Sequence, residues 1–267
     1  MNRLNNLAKK PIIGPWIQKA MDYAVKCEVD SIAKHFSNYL MPVVANDNAS
    51  RNASFNIRHQ VYCEELNFEK QTPEKMEMDE FDQYSIHCLI KHIPSSRYSG
   101  TVRIVRPLKI GEIIPIQKYC LNSISTGKIN PNDFAPHEIC ELSRLAVPAE
   151  FRRRQNDKFD GAATGAIDRH TYSEKELRCF PFIAIGLYLS AASVIMENDI
   201  KHTFVMMEPR LARSLRFVGI NFEKIGPTVD YHGQRAPYYI NRTLLMETLT
   251  PGFQHMMKDI RKTLKYI

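Results

Sequence analysis

Apolar and polar positions along this chain repeat with two different periods, one near 3.6 residues and one of 2. At 15–40, Ile17, Ala20, Met21, Ala24 and Val25 recur near helical spacing, which predicts an amphipathic helix or helix pair. Pro42 and the polar run NDNASRNAS (46–54) close it. A second helix follows, with Ser54 as its N-cap and Phe55, Val61, Tyr62 and Leu66 on its apolar face. That spacing sets Arg58 and Tyr62 one turn apart on the same side. After an acidic, turn-rich stretch at 71–85, IHCLIKH (86–92) and GTVRIVR (100–106) read as two strands flanking the turn PSSRYSG, a hairpin. EICELSRLAV (138–147) alternates as a half-buried strand does. An uncharged helix at 180–196, a strand HTFVMM and a helix EPRLARSLRFVG ending at Gly219 come next. Short strands near FEKIG, VDYHG and APYYIN and a C-terminal helix to about residue 265 complete the pattern. Helices and strands mixed in this order predict an α/β (α+β) sandwich, and the lack of an internal repeat excludes solenoids and propellers. The organisation is a helical N-terminal extension at 1–50 followed by one domain at 51–267.

Composition narrows the function classes. With 267 residues, 44% hydrophobic and 24% charged, the chain has the make-up of a folded protein rather than a disordered or collagenous one. Lys plus Arg (36) exceed Asp plus Glu (29) for a net charge of +7, which favours acidic partners. Nucleic acid is not expected among them, because there is no basic helix-turn-helix, no aromatic RNA-binding strand and no paired zinc ligands. The six cysteines form no C-x-x-C pair and the nine histidines no ligand pair, so reduced, packed thiols and no metal site are expected. The first residues contain no apolar run with a small-residue cleavage site, and 180–196 carries Pro181, Gly186 and two serines; the expectation is a cytoplasmic protein without a membrane span. Trp16, with Ile12, Ile13, Lys9 and Lys10, fits either peripheral contact with a membrane or a lid over a cleft.

The candidate chemistry lies in ionisable residues placed at regular offsets among apolar ones: Arg58 with Tyr62, Asp79 with Asp82, Arg103, and Glu141 with Arg144. On a regular strand Glu141 and Arg144 point to opposite faces, so they share a site only if the strand twists or bulges. A carboxylate partly buried beside a cleft makes a general base, because burial raises its pKa toward neutrality. The same residues also fit a structural salt-bridge network.

Taken in order, R-x-x-V-Y-C-x-E-L-x-F (58–68), D-E-F-D (79–82), G-T-V-R (100–103) and E-L-S-R-L-A-V (141–147) resemble the autoinducer-synthase branch of the GNAT acyltransferase superfamily, which includes acyl-homoserine-lactone synthases and N-acyl amino acid synthases. The phrases VYCEELNFE, SRLAV, AIGLY, MEPRLARSL and IGPTVDYHGQRAPYYI resemble more narrowly the PEP-CTERM/exosortase system-associated acyltransferases. These matches span about 55–241. The resemblance implies a GNAT-like central mixed β-sheet, flanked by helices, whose strands splay to admit a phosphopantetheine arm. It implies Arg58, Tyr62, Phe68, Asp79, Asp82 and Arg103 as acceptor-binding residues. Glu141 is then the base, Arg144 its orienter or a carboxylate clamp, and the backbone of Leu145, Ala146 and Val147 an oxyanion site.

Two departures from the superfamily pattern shape the expectation. Where acetyl-CoA enzymes carry a glycine-rich pyrophosphate loop, Val147 is followed by PAEFRRRQNDKFDG, and GAATG (161–165) lies at the wrong distance. The cluster Arg152, Arg153 and Arg154 suits docking of an acidic acyl carrier protein, or is a solvated loop. Leu215 stands where many GNAT enzymes have a tyrosine acid, leaving Tyr231 and His232 as candidates by proximity. The expected protein is a cytoplasmic N-acyltransferase moving a medium or long fatty acyl chain from acyl carrier protein to an amino acid or similar small amine, without cofactor. The apolar helix and the 11 methionines would line the acyl tunnel or simply form core. Alternatives are homoserine-lactone synthesis from S-adenosylmethionine, for which Phe68 is a smaller platform than the usual Trp, and a non-catalytic acyl or carrier-protein binding module.

Overall fold

The computed structural model describes residues 33–152, except 35, and 182–265. The strands are β1 (Leu40–Val44), β2 (Ser85–His92), β3 (Arg97–Val105), β4 (Ile139–Ala146), β5 (His202–Met207), β6 (Glu223–Lys224), β7 (Val229–Asp230) and β8 (Gln234–Asn241). They form one sheet in the order β1-β2-β3-β4-β5-β8-β6, with β7 on the end of β8. Only β4 and β5 run parallel. After a helical stretch at 36–39, before β1, the helices are α1 (Asn48–Arg58), α2 (Pro115–Tyr119), α3 (Ile183–Glu197), α4 (Pro209–Arg216), α5 (Arg242–Thr248) and α6 (Pro251–Lys265).

The period-2 strands form where the alternation places them, and the 86–106 hairpin closes through Ser96 in the left-handed region. Three expectations shift. The extension expected to be helical contains strand β1 just where its helix was expected to close, paired with β2; Pro42 is tolerated because β1 is an edge strand. The cap of α1 is Asp47, whose carboxylate accepts the Ser50 N–H at 2.7 Å, whereas Ser54 is buried and bonds Thr101 Oγ1 at 2.7 Å. The division at residue 50 therefore cuts through α1, and the sheet begins ten residues earlier. In addition, α1 does not stop at Arg58: it widens into a π-helical turn over His59–Glu65 before ending at Leu66.

Helix α3, charged only at its last residue, Glu197, is buried nearly all round, against β2, β3 and α6, which accounts for its lack of a polar face. No described helix is long and apolar enough to cross a membrane. Helix α4 ends at Arg216 and the turn after it closes at Gly219, where φ is +87° and an added Cβ would meet the Thr248 carbonyl, so only glycine fits. One sheet face packs on α3 and α6 through Cys88, Val102, Ile104, Leu142, Val205 and Tyr238. The opposite face carries two separate apolar clusters, one under α1 and one around Phe81, Ile116, Phe204 and Tyr239. Polar chemistry fills the gap between them.

Candidate active site

Two irregularities in the sheet create that gap. The parallel pairing of β4 with β5 runs from Ile139↔His202 to Leu142↔Val205 and stops, so Ser143 to Ala146 part from Met206 and Met207. On its other side β4 carries a bulge. Arg103 pairs with Ser143, but Thr101, two residues away, pairs with Ala146, three residues away. The extra residue coincides with Arg144, at φ +51°, a conformation unusual for a side chain other than glycine. Leu142 consequently joins the core on the α3 face while Ala146 joins the cluster under α1. The bulge foreseen for Glu141 and Arg144 to meet is thus present.

A cavity of about 440 Å³ opens at this point. Among its walls are Tyr62, Phe68, Asp79, Arg103, Glu141, Arg144 and Leu145, seven of the residues singled out in the sequence. Glu141 is buried, its Oε2 accepting the Ile116 N–H at 2.6 Å at the start of α2. Burial pushes its pKa up to about 8, against the opposing pull of that hydrogen bond and of Arg103 and Arg144. Tyr62 donates its hydroxyl to the Leu145 carbonyl at 2.6 Å, tying the π-helical turn to the splayed end of β4. The turn after β7 leans over the same cavity: Tyr231 stacks on Tyr119, and the His232 ring lies 5.9 Å from Phe68.

Several assignments are corrected. Arg58 is fully buried behind the cavity wall rather than in it. It donates Nε to Glu77 at 2.5 Å and both Nη atoms to Asp82 at 2.7 and 3.0 Å. Asp82 is likewise an interior partner, bonded to Arg58 and to Arg103 at 3.1 Å. Burial alone would raise the Asp82 carboxyl, but the Arg58 fork and the Arg103 charge hold it well below the ordinary range. Neither residue lines the cavity. Arg144 does not hydrogen-bond Glu141; its guanidinium is occupied by Glu77 (3.1 Å), Glu69 (3.3 Å) and Asp79 (3.3 Å), so it is not an open carboxylate clamp. Of the three backbone positions, only Leu145 lines the cavity. Ala146 is taken into the ladder opposite Thr101, and Val147 packs in the core. Arg152 is buried and ion-paired with Glu65 rather than presented for docking. Arg153, Arg154, the GAATG segment and Trp16 lie outside the described residues.

The structure adds residues that sequence reasoning passed over. Glu77 bridges Arg58 and Arg144, and it lay unremarked in the acidic run before Asp79. Glu69, Tyr188, Glu208 and Arg235 also line the cavity. Tyr188 and Leu142 border a second, apolar pocket between α3 and the strands, lined further by Leu189, Ala192, Ile195 and Phe222. Leu215, where a tyrosine acid was sought, is buried core.

A mixed sheet whose one parallel pair parts over a polar cavity is the architecture of GNAT acyltransferases. Residues 57–159 match the family model described as an acetyltransferase (GNAT) domain. Among solved structures, the chain is similar to TofI, crystallised in a ternary complex with an inhibitor and MTA (17% identity, 79% of this chain and 98% of that chain, TM-score 0.54). It is also similar to the AHL synthase LasI (16%, 79% and 97%, TM-score 0.52). A third is FeeM, an N-acyl amino acid synthase from uncultured soil microbes (12%, 80% and 97%, TM-score 0.50). At these identities the likeness is one of fold. No curated protein matches the sequence.

Proposed function

We propose that this protein is an N-acyltransferase that moves a fatty acyl group from the thioester of acyl carrier protein, or from acyl-CoA, to the amino group of an amino acid or similar small amine. The observation that carries this reading is Glu141, a carboxylate raised to about 8 by burial, at the wall of a cavity opened by the parting of β4 and β5. The acceptor nitrogen attacks the thioester carbonyl and gives up a proton to Glu141; the C–N bond forms as the C–S bond breaks, and the thiolate takes a proton on leaving. Tyr231, pushed up to about 12 chiefly by burial, is protonated at neutral pH and able to supply it. The apolar pocket beyond Leu142 and Tyr188 suits the first part of an aliphatic chain. Donation from acyl carrier protein is favoured by the net charge of +7 and by the lack of a glycine-rich pyrophosphate loop after Val147. A link to a PEP-CTERM/exosortase envelope-sorting system rests on the resemblance of VYCEELNFE, SRLAV and IGPTVDYHGQRAPYYI.

A second reading, homoserine-lactone synthesis from S-adenosylmethionine, is favoured by the carboxylate of Glu208 in the cavity wall, which suits a sulfonium cation. Mass spectrometry of lipids from a host expressing the wild type and Glu141→Gln separates the readings. An N-acyl amino acid made only by the wild type supports the first, and an acyl-homoserine lactone the second. Neither product, across hosts supplied with amino acids and carrier protein, would remove both.

A further inference from the structure

The cavity wall contains three guanidinium groups, and two of them are already neutralised. Arg103 is held by Asp79, Asp82 and the Ser143 hydroxyl, and Arg144 by Glu69, Glu77 and Asp79. Arg235 differs. Its Nε is buried without a hydrogen-bond partner, and none of the described carboxylates pairs with it. A guanidinium left in a partly enclosed polar cavity without an anion forgoes the charge-assisted bonds that such a group normally makes.

Register explains why it points there. Residue 235 opposes Val229 at the start of β8, just past the pairing of Ala236 with Met207 that ends β5. By the period of 2 it shares a face of β8 with Tyr239, which packs in the cluster with Val105, Ile139, Phe204 and Met206. Arg103 and Glu141 lie on that face by the same alternation from Val105 and Ile139. The charge of Arg235 acts on Tyr62 and Tyr188, which border the same space.

Resting on the acyltransfer reading, we infer that Arg235 binds the carboxylate of the acceptor, so that the acceptor is an α-amino acid rather than a simple amine. The zwitterion is then read at both ends: Glu141 takes the proton from the amine, and Arg235 grips the carboxylate with a planar fork. The acyl product keeps that carboxylate and binds in the same way.

Equilibrium binding to the full-length protein tests this without turnover. The probes are the N-decanoyl amides of glycine, leucine and tyrosine, each paired with its decarboxylated counterpart from methylamine, isoamylamine or tyramine. For at least one pair the wild type should bind the carboxylate form about tenfold or more tightly, the scale of a charged hydrogen bond. Arg235→Gln should erase that preference and leave the decarboxylated amide unaffected, and Arg235→Lys should retain part of it. Arg235 makes no side-chain bond within the described structure, so thermal unfolding of R235Q should match the wild type. The inference is overturned if the wild type shows no preference in any pair, if R235Q keeps the preference, or if R235Q weakens both members equally. Turnover with decanoyl-N-acetylcysteamine and the free acceptors is read separately: no amide from any acceptor would sink the acyltransfer reading while the binding comparison still judges Arg235.

Discussion

Glu141 and Arg58 show how one kind of buried charge serves two ends. Glu141 has no ion-pair partner among the described residues and stays protonated up to about pH 8, so its ionised form is available for catalysis only as pH rises. The amidation rate should climb through a limb near pH 8 that Glu141→Gln lacks, with kcat lower by about 10²–10⁴-fold. The same raised pKa has a stability consequence. The neutral carboxyl is tolerated below its ordinary value of 4.5, and the protein loses stability as pH rises from there to about 8, because ionisation is easier in the unfolded chain. Chemical denaturation across that window should give a flatter stability profile for Glu141→Gln; an equally steep one would show that another group is responsible. Arg58 is fully paired with Asp82 and Glu77, and Arg58→Leu removes the fully buried cation from two buried carboxylates, leaving Asp82 to Arg103 and Glu77 to Arg144. It should cost about 3–5 kcal/mol in urea unfolding. Both residues were visible as candidates in the sequence. Their division of labour was not, because it depends on Glu77, a residue 19 positions from Arg58 that only the folded loop brings within 2.5 Å.

At the scale of elements, the bulge in β4 and the position of Tyr188 on α3 set the site. Arg144 sits at φ +51°, which β-branched residues resist and glycine accepts. Arg144→Gly and Arg144→Ile both delete the guanidinium, so the difference between them isolates the backbone. The isoleucine variant should be less stable by about 1 kcal/mol, and equal midpoints would mean the bulge relaxes. Tyr188 and Leu142 separate the polar cavity from the apolar pocket. Tyr188→Ala should merge the two and shift products to longer acyl chains, whereas Tyr188→Phe should leave the distribution unchanged; mass spectrometry of chain lengths decides. The elements themselves were largely legible: HTFVMM (202–207) coincides with β5, and the glycine stop of α4 was read correctly. The start of α1 was misjudged because Asp47 and Ser54 are both acceptable caps, and burial against Thr101, not local propensity, removed Ser54 from the choice.

For the molecule as a whole, the excess of seven positive charges should steer an acidic carrier protein toward the site. With acyl carrier protein as donor, kcat/KM should fall as salt is raised from about 50 to 500 mM, since the Debye length shrinks several-fold. With an acyl-N-acetylcysteamine donor it should stay level. A matching fall for both donors would point to the acceptor step instead. By itself the sequence determined the alternation of helices and strands, and hence a mixed sheet with helices on it, because those periods are local properties of neighbouring residues. The order and spacing of its motifs also marked Tyr62, Phe68, Asp79, Arg103, Glu141 and Arg144, all of which the fold gathers around one cavity. Only the tertiary structure decided which charges are spent on one another and which remain free. Pairing is settled by distances between β3, β4, β8 and the loop at 69–82, and no local period encodes those. Arg58, Asp82 and Arg152 therefore turn out to be interior partners, while Arg235, inconspicuous in the chain, has no carboxylate partner among the described residues.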